Sequence, residues 1–281
     1  MSVAGFDFYL QRFFEFLIVT TAIAGVYMEN YYGAHQHRDN IIYGTARIGM
    51  VDYGYPKKSH RVNREKLLED IFELGIRKVD TSPRYGDAEK LLGEVFRRSD
   101  VSVAVNTKID ALNPGDPKSK NLVVDSVVRS LDILGIERLD TVYLHQNSLS
   151  IISDGYVHEG LNVIIEKNLA VHIGASLYYN DELSYALSCS LFDTLQIACN
   201  IFDRKILDQC LNSISVKRLD CRSILLQGLV ANPECCEKLL PNIDQFYDDF
   251  VRLTQISTRS GISIAELAYA YIGNLGVLNG V

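Results

Sequence analysis

From Ile41 to the end of the chain, short apolar runs alternate with amphipathic segments, and this alternation constrains the fold more than any other feature. Ile41-Ile-Tyr43, the run Ile76 to Asp80, Val101 to Thr107, Leu139 to His145, Ala170 to Ser176, Thr194 to Asn200 and Cys221 to Leu226 read as strands. Between the first two, Asn63 to Gly75 places Leu67, Leu68, Ile71, Phe72 and Leu74 at helical spacing. Asp87 is positioned to cap a helix running to Arg98, and further helices are predicted over Asn121 to Leu134, Tyr156 to Asn168, Asp181 to Cys189 and Lys205 to Ser213. Two more lie near Ile243 to Arg259 and Ser263 to Ile272, the second opening with the capping box Ser263-Ile-Ala-Glu266. The tail Gly276 to Val281 reads as the start of an eighth strand.

Strands that are apolar throughout, rather than at every second position, belong to a parallel sheet covered by helices on its outer side. Seven or eight strand–helix units in 281 residues favour the α/β class and, within it, a (β/α)8 TIM barrel over a doubly wound open sheet. No linker, repeat or low-complexity stretch divides residues 41–281, so one barrel domain is expected there.

Residues 1–40 differ in character and are expected to form an apolar extension outside the barrel. Phe6 to Met28 is rich in Phe, Leu, Ile and Val, but Arg12 and Glu15 interrupt it. Its uncharged part, Phe16 to Met28, is shorter than the roughly 18–20 residues of a spanning helix. Three readings stand: a signal peptide with Ala22-Ile-Ala24 as its cleavage site, a membrane-surface helix over residues 6–28, or a start of translation further in. A cytoplasmic protein is the expectation, with membrane association through residues 6–28 as the alternative.

The composition, 47% apolar and 22% charged, supplies a large core, and the net charge of −7 argues against nucleic acid as a partner. Six irregularly placed cysteines without a CxxC pair point to reduced thiols. Six histidines without an HExxH pattern give no metal site, and His35-Gln-His37 reads as a loop.

Chemistry is concentrated in Asp80, Tyr85, Lys108 and His145, each at the point where a strand-like run gives way to a polar loop. Taken singly, each has a structural explanation. In a barrel, however, the carboxyl ends of the strands share one rim, so the four converge. An acid, a phenol, an amine and an imidazole together form a proton-transfer set.

These residues carry a resemblance. Asp80-Thr-Ser-Pro-Arg-Tyr85-Gly86 is similar to the Asp-Thr-Ala-x-x-Tyr-Gly signature of the aldo-keto reductase family. Gly44-Thr-Ala46, Thr107-Lys108, Leu144-His145, Gly174-Ala-Ser176 and Gln196 through Asn200 occur in that family's order, and the resemblance runs from about Ile41 to the C-terminus. It implies hydride transfer between NADPH and an aldehyde, ketone or sugar carbonyl, with NAD(H) as a second possible cofactor. Tyr85 would be the general acid. A free phenol titrates near ~10 and needs tuning, which Lys108 would supply, with Asp80 orienting Lys108. His145 would orient the carbonyl. Gly44, Thr45, Ala46, Ser176, Gln196 and Asn200 would line the cofactor site, the last three by contact with the nicotinamide carboxamide.

The chain also departs from the family. Leu177 stands where an Asn is usual, and Arg222 or Ser223 where a Tyr usually stacks on nicotinamide, making Arg222 a candidate substitute. The chain ends at Val281, before the loop and helix that in the family grip the ribose 2′-phosphate, so the barrel is expected to be incomplete at strand 8 and helix 8. This leaves open an alternative: a weak or inactive barrel acting as a binding module. The polar run Gln146-Asn-Ser-Leu-Ser and the tyrosines Tyr53, Tyr55 and Tyr178 favour a polar substrate such as a sugar.

Overall fold

Seven strands are hydrogen-bonded in the order in which they occur along the chain, each parallel to the next. The computed structural model describes residues 40–50, 52–55, 63–145, 148–178, 180–211, 217–232, 244–275 and 278–280. The extension expected over residues 1–40 therefore lies outside the described residues except for Asn40, as do His35, His37, Cys235, Cys236 and the Gln146-Asn147 part of the polar loop.

The order is β1 (Ile42–Gly44), α1 (Ala46–Gly49), α2 (Arg64–Glu73), β2 (Lys78–Asp80), α3 (Ala88–Phe96), β3 (Ala104–Ile109), α4 (Ser119–Leu134), β4 (Leu139–Leu144), α5 (Leu149–Ile152), α6 (Gly155–Glu166), β5 (Ala170–Leu177), α7 (Asn180–Ser188), β6 (Thr194–Ala198), α8 (Lys205–Leu211), β7 (Arg218–Arg222), a 3-10 turn (Leu226–Gly228), α9 (Asp244–Ser260) and α10 (Ile264–Gly273). Parallel neighbours need a crossover, and the helices provide it. Helix α2 shows how sequence sets these elements. Asn63 caps it through the Lys66 N–H, and Leu68, Ile71 and Phe72 form the buried stripe. The capping box at Ser263 and Glu266 forms as the sequence predicts. No described helix is long and apolar enough to cross a membrane.

Two local expectations are corrected. Strand seven is Arg218–Arg222, not Cys221 to Leu226. The apolar run after it turns over, with left-handed backbone at Ser223, Leu226 and Gln227. Asp87 makes no side-chain cap on α3, because both its oxygens take the Arg64 guanidinium, at 2.7 and 2.9 Å. As expected, the eighth strand is incomplete, and among the described residues it is a single bridge, Asp220 with Gly280. There the Cys221 N–H donates to the Gly280 carbonyl at 2.8 Å and the Asn279 N–H to Leu219 at 2.7 Å. A methyl group on Gly280 would stand 2.2 Å from Ile42 Cδ1, so this residue is wedged between β7 and the first strand. The arrangement is that of a (β/α)8 barrel lacking a full eighth strand.

Side chains pointing inward are unusually polar. Bonds between non-adjacent strands identify them: Gln196 of β6 reaches Asp80 of β2, and Tyr143 of β4 reaches Asp220 of β7. The Tyr143 hydroxyl donates to Asp220 Oδ2 at 2.5 Å. Its ring crosses the barrel over Gly174, where a Cβ would lie 2.5 Å from the ring and 2.7 Å from the Thr194 carbonyl. Burial pushes the Asp220 carboxyl above the usual carboxylate range, while the Tyr143 hydrogen bond and the charge of Arg218 pull it back. The native chain thus holds this proton more tightly than the unfolded chain does. Stability from this group is complete below the unfolded value, about 4, and is lost as pH rises towards the raised folded value. Asp220→Asn removes this dependence. Denaturant melts between pH 4 and 7 are expected to show the wild type losing ground to Asp220→Asn as pH rises. A difference that does not vary with pH would contradict the assignment.

Candidate active site

The end of β2 is clamped from both sides. The Thr45 N–H and hydroxyl both donate to the Asp80 carbonyl, at 2.9 and 3.0 Å, and the Thr81 N–H donates to Asn106 at 2.8 Å. The chain then turns, with the Tyr85 N–H on the Ser82 carbonyl at 2.9 Å, and enters α3. Helix α1 packs onto this turn so closely that a methyl at Gly49 would stand 1.8 Å from the Tyr85 carbonyl oxygen. These contacts place Tyr85 over the strand ends.

Lys108 lies inside β3 rather than after it and is 1% exposed. Its ammonium donates to Asp80 Oδ2 at 2.5 Å and to the Thr81 carbonyl at 2.8 Å, and lies 4.8 Å from the centre of the Tyr85 ring. Burial lowers the Lys108 pKa and the Asp80 carboxylate holds it up. An ammonium has three N–H donors, so one remains beyond these two acceptors. Tyr85 differs from expectation. Burial first, then the charge of Asp80 and the Tyr53 phenol, raise its pKa, with Arg222 opposing. Burial is the largest of these effects, so the lowering expected from the amine is not what sets this phenol. The phenol keeps its proton at neutral pH, which is the state a proton donor needs.

The His145 N–H donates to the Ile109 carbonyl at 3.0 Å, which aligns the end of β4 with β3. Its ring stands edge-on to Tyr85, centroids 6.2 Å apart. Nδ1 is 2.7 Å from Asp110 Oδ2, and Arg84 lies 3.6 Å from the other Asp110 oxygen. Sequence reading missed Asp110, although an acid two places beyond Lys108 at a strand end was a usable signal. A carboxylate on Nδ1 fixes a proton there and leaves Nε2 for a ligand.

The residues expected at the cofactor divide. Gly44 has open space around it. Ala46 opens α1. Thr45 is fully buried, its hydroxyl proton on Asp80. Ser176 accepts from Arg222 Nε at 3.1 Å, so its own proton is left to donate. The Arg222 guanidinium lies 3.9 Å from the centre of the Tyr178 ring and also donates to Ser223 Oγ and the Leu177 carbonyl, both at 3.2 Å. Two amides expected at the cofactor have protein partners. Asn200 Oδ1 accepts the N–H groups of Phe202 and Asp203 in a turn, and Gln196 is bound to Asp80. The donor set fits a nicotinamide, through the Ser176 proton, the flat Arg222 group and the Tyr53, Tyr85 and Tyr178 rings. Among the described residues, no group of three or more His, Cys, Asp or Glu could hold a metal ion.

Removing one partner of a buried ion pair is strongly destabilising. Asp80→Asn is expected to lower the unfolding free energy by about 3 kcal/mol at neutral pH. The Lys108 pKa would then fall further in the folded state, so the deficit narrows as pH rises from that lowered value to the unfolded one, about 10.4. Melts at neutral and alkaline pH test both the size and the slope.

Comparison with known proteins finds the same fold. A glycerol dehydrogenase from Gluconobacter oxydans is 17% identical with a TM-score of 0.67, the match covering 86% of this chain and 81% of that one. A protein from Pseudomonas aeruginosa, provisionally described as an aldo-keto reductase, is 23% identical with a TM-score of 0.55, covering 68% of this chain and 76% of that one. A structure provisionally described as a 2,5-diketo-D-gluconic acid reductase B is 20% identical with a TM-score of 0.62, covering 85% of this chain and 75% of that one. At these identities the likeness is one of fold. No curated protein matches the chain significantly. The aldo/keto reductase family matches residues 40–278. With that match over most of its length, the chain belongs to the aldo/keto reductase family of oxidoreductases.

Proposed function

We propose that this chain reduces an aldehyde, ketone or open-chain sugar carbonyl with a nicotinamide cofactor, NADP(H) preferred, and that Tyr85 is the proton donor. The supporting observation is the buried Lys108, fixed on Asp80 and 4.8 Å from the centre of the Tyr85 ring. Placing a lysine at 1% exposure is energetically unfavourable, and a barrel that served only as a binding scaffold would have no use for it.

The cofactor supplies the hydride when bound, and Ser176 and Arg222 would hold its ring and carboxamide. The chain's own groups handle the proton. Tyr85, kept protonated by burial, donates to the oxygen on which negative charge develops, an atom far more basic than a phenolate. Lys108 stabilises the phenolate that results, and Asp80 keeps Lys108 charged. His145, its Nδ1 fixed by Asp110, presents Nε2 to orient the substrate oxygen. Tyr53 and Tyr178, each exposed enough to meet a ligand, form walls suited to a polar, sugar-like substrate. The four described cysteines are all free thiols, in keeping with a cytoplasmic location.

Tyr85→Phe tests the reading. Turnover of a small aldehyde with NADPH should fall at least ~100-fold, the low end for loss of a positioned acid, while NADPH binding followed by fluorescence stays within about twofold. Wild-type turnover in the variant would refute the role of Tyr85.

A further inference from the structure

The cations around the Tyr85 phenol are not alike. Lys108 is paired with Asp80, and Arg84 with Asp110. Arg222, at the end of β7, is held among the described residues by neutral groups alone. Its N–H groups donate to the Ser176 hydroxyl at 3.1 Å and to the Ser223 hydroxyl and Leu177 carbonyl, both at 3.2 Å. The Tyr178 ring lies 3.9 Å from its centre. A guanidinium stays protonated at any working pH, and none of these partners cancels its charge.

That charge is felt in the candidate active site. Burial dominates the pKa of Tyr85, Tyr53 and Lys108, and Arg222 pulls each of the three downwards. A fixed cation without a counter-charge repels a positively charged ligand and spares a neutral one of the same shape. The two redox forms of a nicotinamide differ in this way, since the oxidised ring carries a positive charge and the reduced ring carries none. A neutral aromatic at position 222 would have the opposite bias, because the face of its ring attracts cations. The nearby face that could offset Arg222, that of Tyr178, is already taken up by Arg222 itself.

We propose that Arg222 makes the site selective for the redox state of its cofactor, disfavouring the oxidised nicotinamide and holding the reduced one more tightly. Spent cofactor is then released readily, and carbonyl reduction is favoured over alcohol oxidation. The inference rests on the reading of the chain as a nicotinamide-dependent reductase and adds a direction to it.

Binding alone tests it. Calorimetric dissociation constants for NADPH and NADP+ are compared on the full chain, as wild type, Arg222→Gln and Arg222→Lys. The wild type should prefer NADPH by about tenfold, equivalent to about 1.4 kcal/mol. In Arg222→Gln, which removes the charge, that ratio should fall to within about twofold of unity. In Arg222→Lys, which keeps the charge and loses the flat group, the ratio should stay within about threefold of wild type even where both nucleotides bind less well. Should Arg222→Gln not fold, Arg222→Tyr, neutral and flat, takes its place with the same expected ratio. Equal weakening of both nucleotides in the neutral variant would overturn the proposal, because Arg222 would then serve a contact common to both forms. So would a ratio that falls as far in Arg222→Lys as in the neutral variant. A wild type that binds both nucleotides with a ratio indifferent to position 222 removes this inference and leaves the reductase reading standing. A wild type that binds neither removes both.

Discussion

The ion pair between Lys108 and Asp80 is the constraint around which this barrel is organised. A lysine at 1% exposure is tolerable only with a fixed counter-charge and further acceptors, and here it has Asp80 and the Thr81 carbonyl. Each element near it serves that need. Thr45 grips the backbone of Asp80, Gln196 takes its second oxygen, and the Thr81 N–H ties the strand end to Asn106. Barrel interiors are commonly filled with branched apolar side chains. This one is braced instead by polar bonds running between strands that are not neighbours, which explains how a buried amine is accommodated at all.

The same polarity orders the chemistry. A carboxylate, an ammonium, a phenol and an imidazole with its own carboxylate lie within a few residues' reach at the strand ends. Burial raises the Tyr85 pKa and lowers that of Lys108, so the environment moves the two groups in opposite directions. The phenol is thereby kept as a proton carrier, and Asp80 favours the charged form of the amine against its burial. Separation of that kind turns a collection of titratable groups into a donor and its support.

The barrel itself was legible from the chain because continuous apolar strands and helical stripes, such as Leu68, Ile71 and Phe72, are signals of local physics. The convergence of Asp80, Tyr85, Lys108 and His145 followed from their positions at strand ends. What stayed hidden depends on direction and distance. Ile224-Leu225-Leu226 reads as strand by hydrophobicity, yet the backbone at Ser223 and Leu226 is left-handed and the run folds back. Tyr143 and Asp220 looked like ordinary strand residues, since pattern alone does not say that two side chains meet across a barrel. Nor does pattern show that the Gln196 amide meets Asp80 across the barrel or that Asn200 closes a turn. Asp110 was passed over because it lies one step beyond the strand that carries Lys108.

Gly49 carries a consequence for the height of the acid above its strand. With no side chain there, the short helix after β1 rests directly on the carbonyl of Tyr85. The helix is thus a stop against which the turn bearing the phenol is seated. Thickening that stop by a single carbon would tilt the hydroxyl relative to Lys108 while leaving every titrating group intact, so the precision of the proton path is set by an atom that is not there.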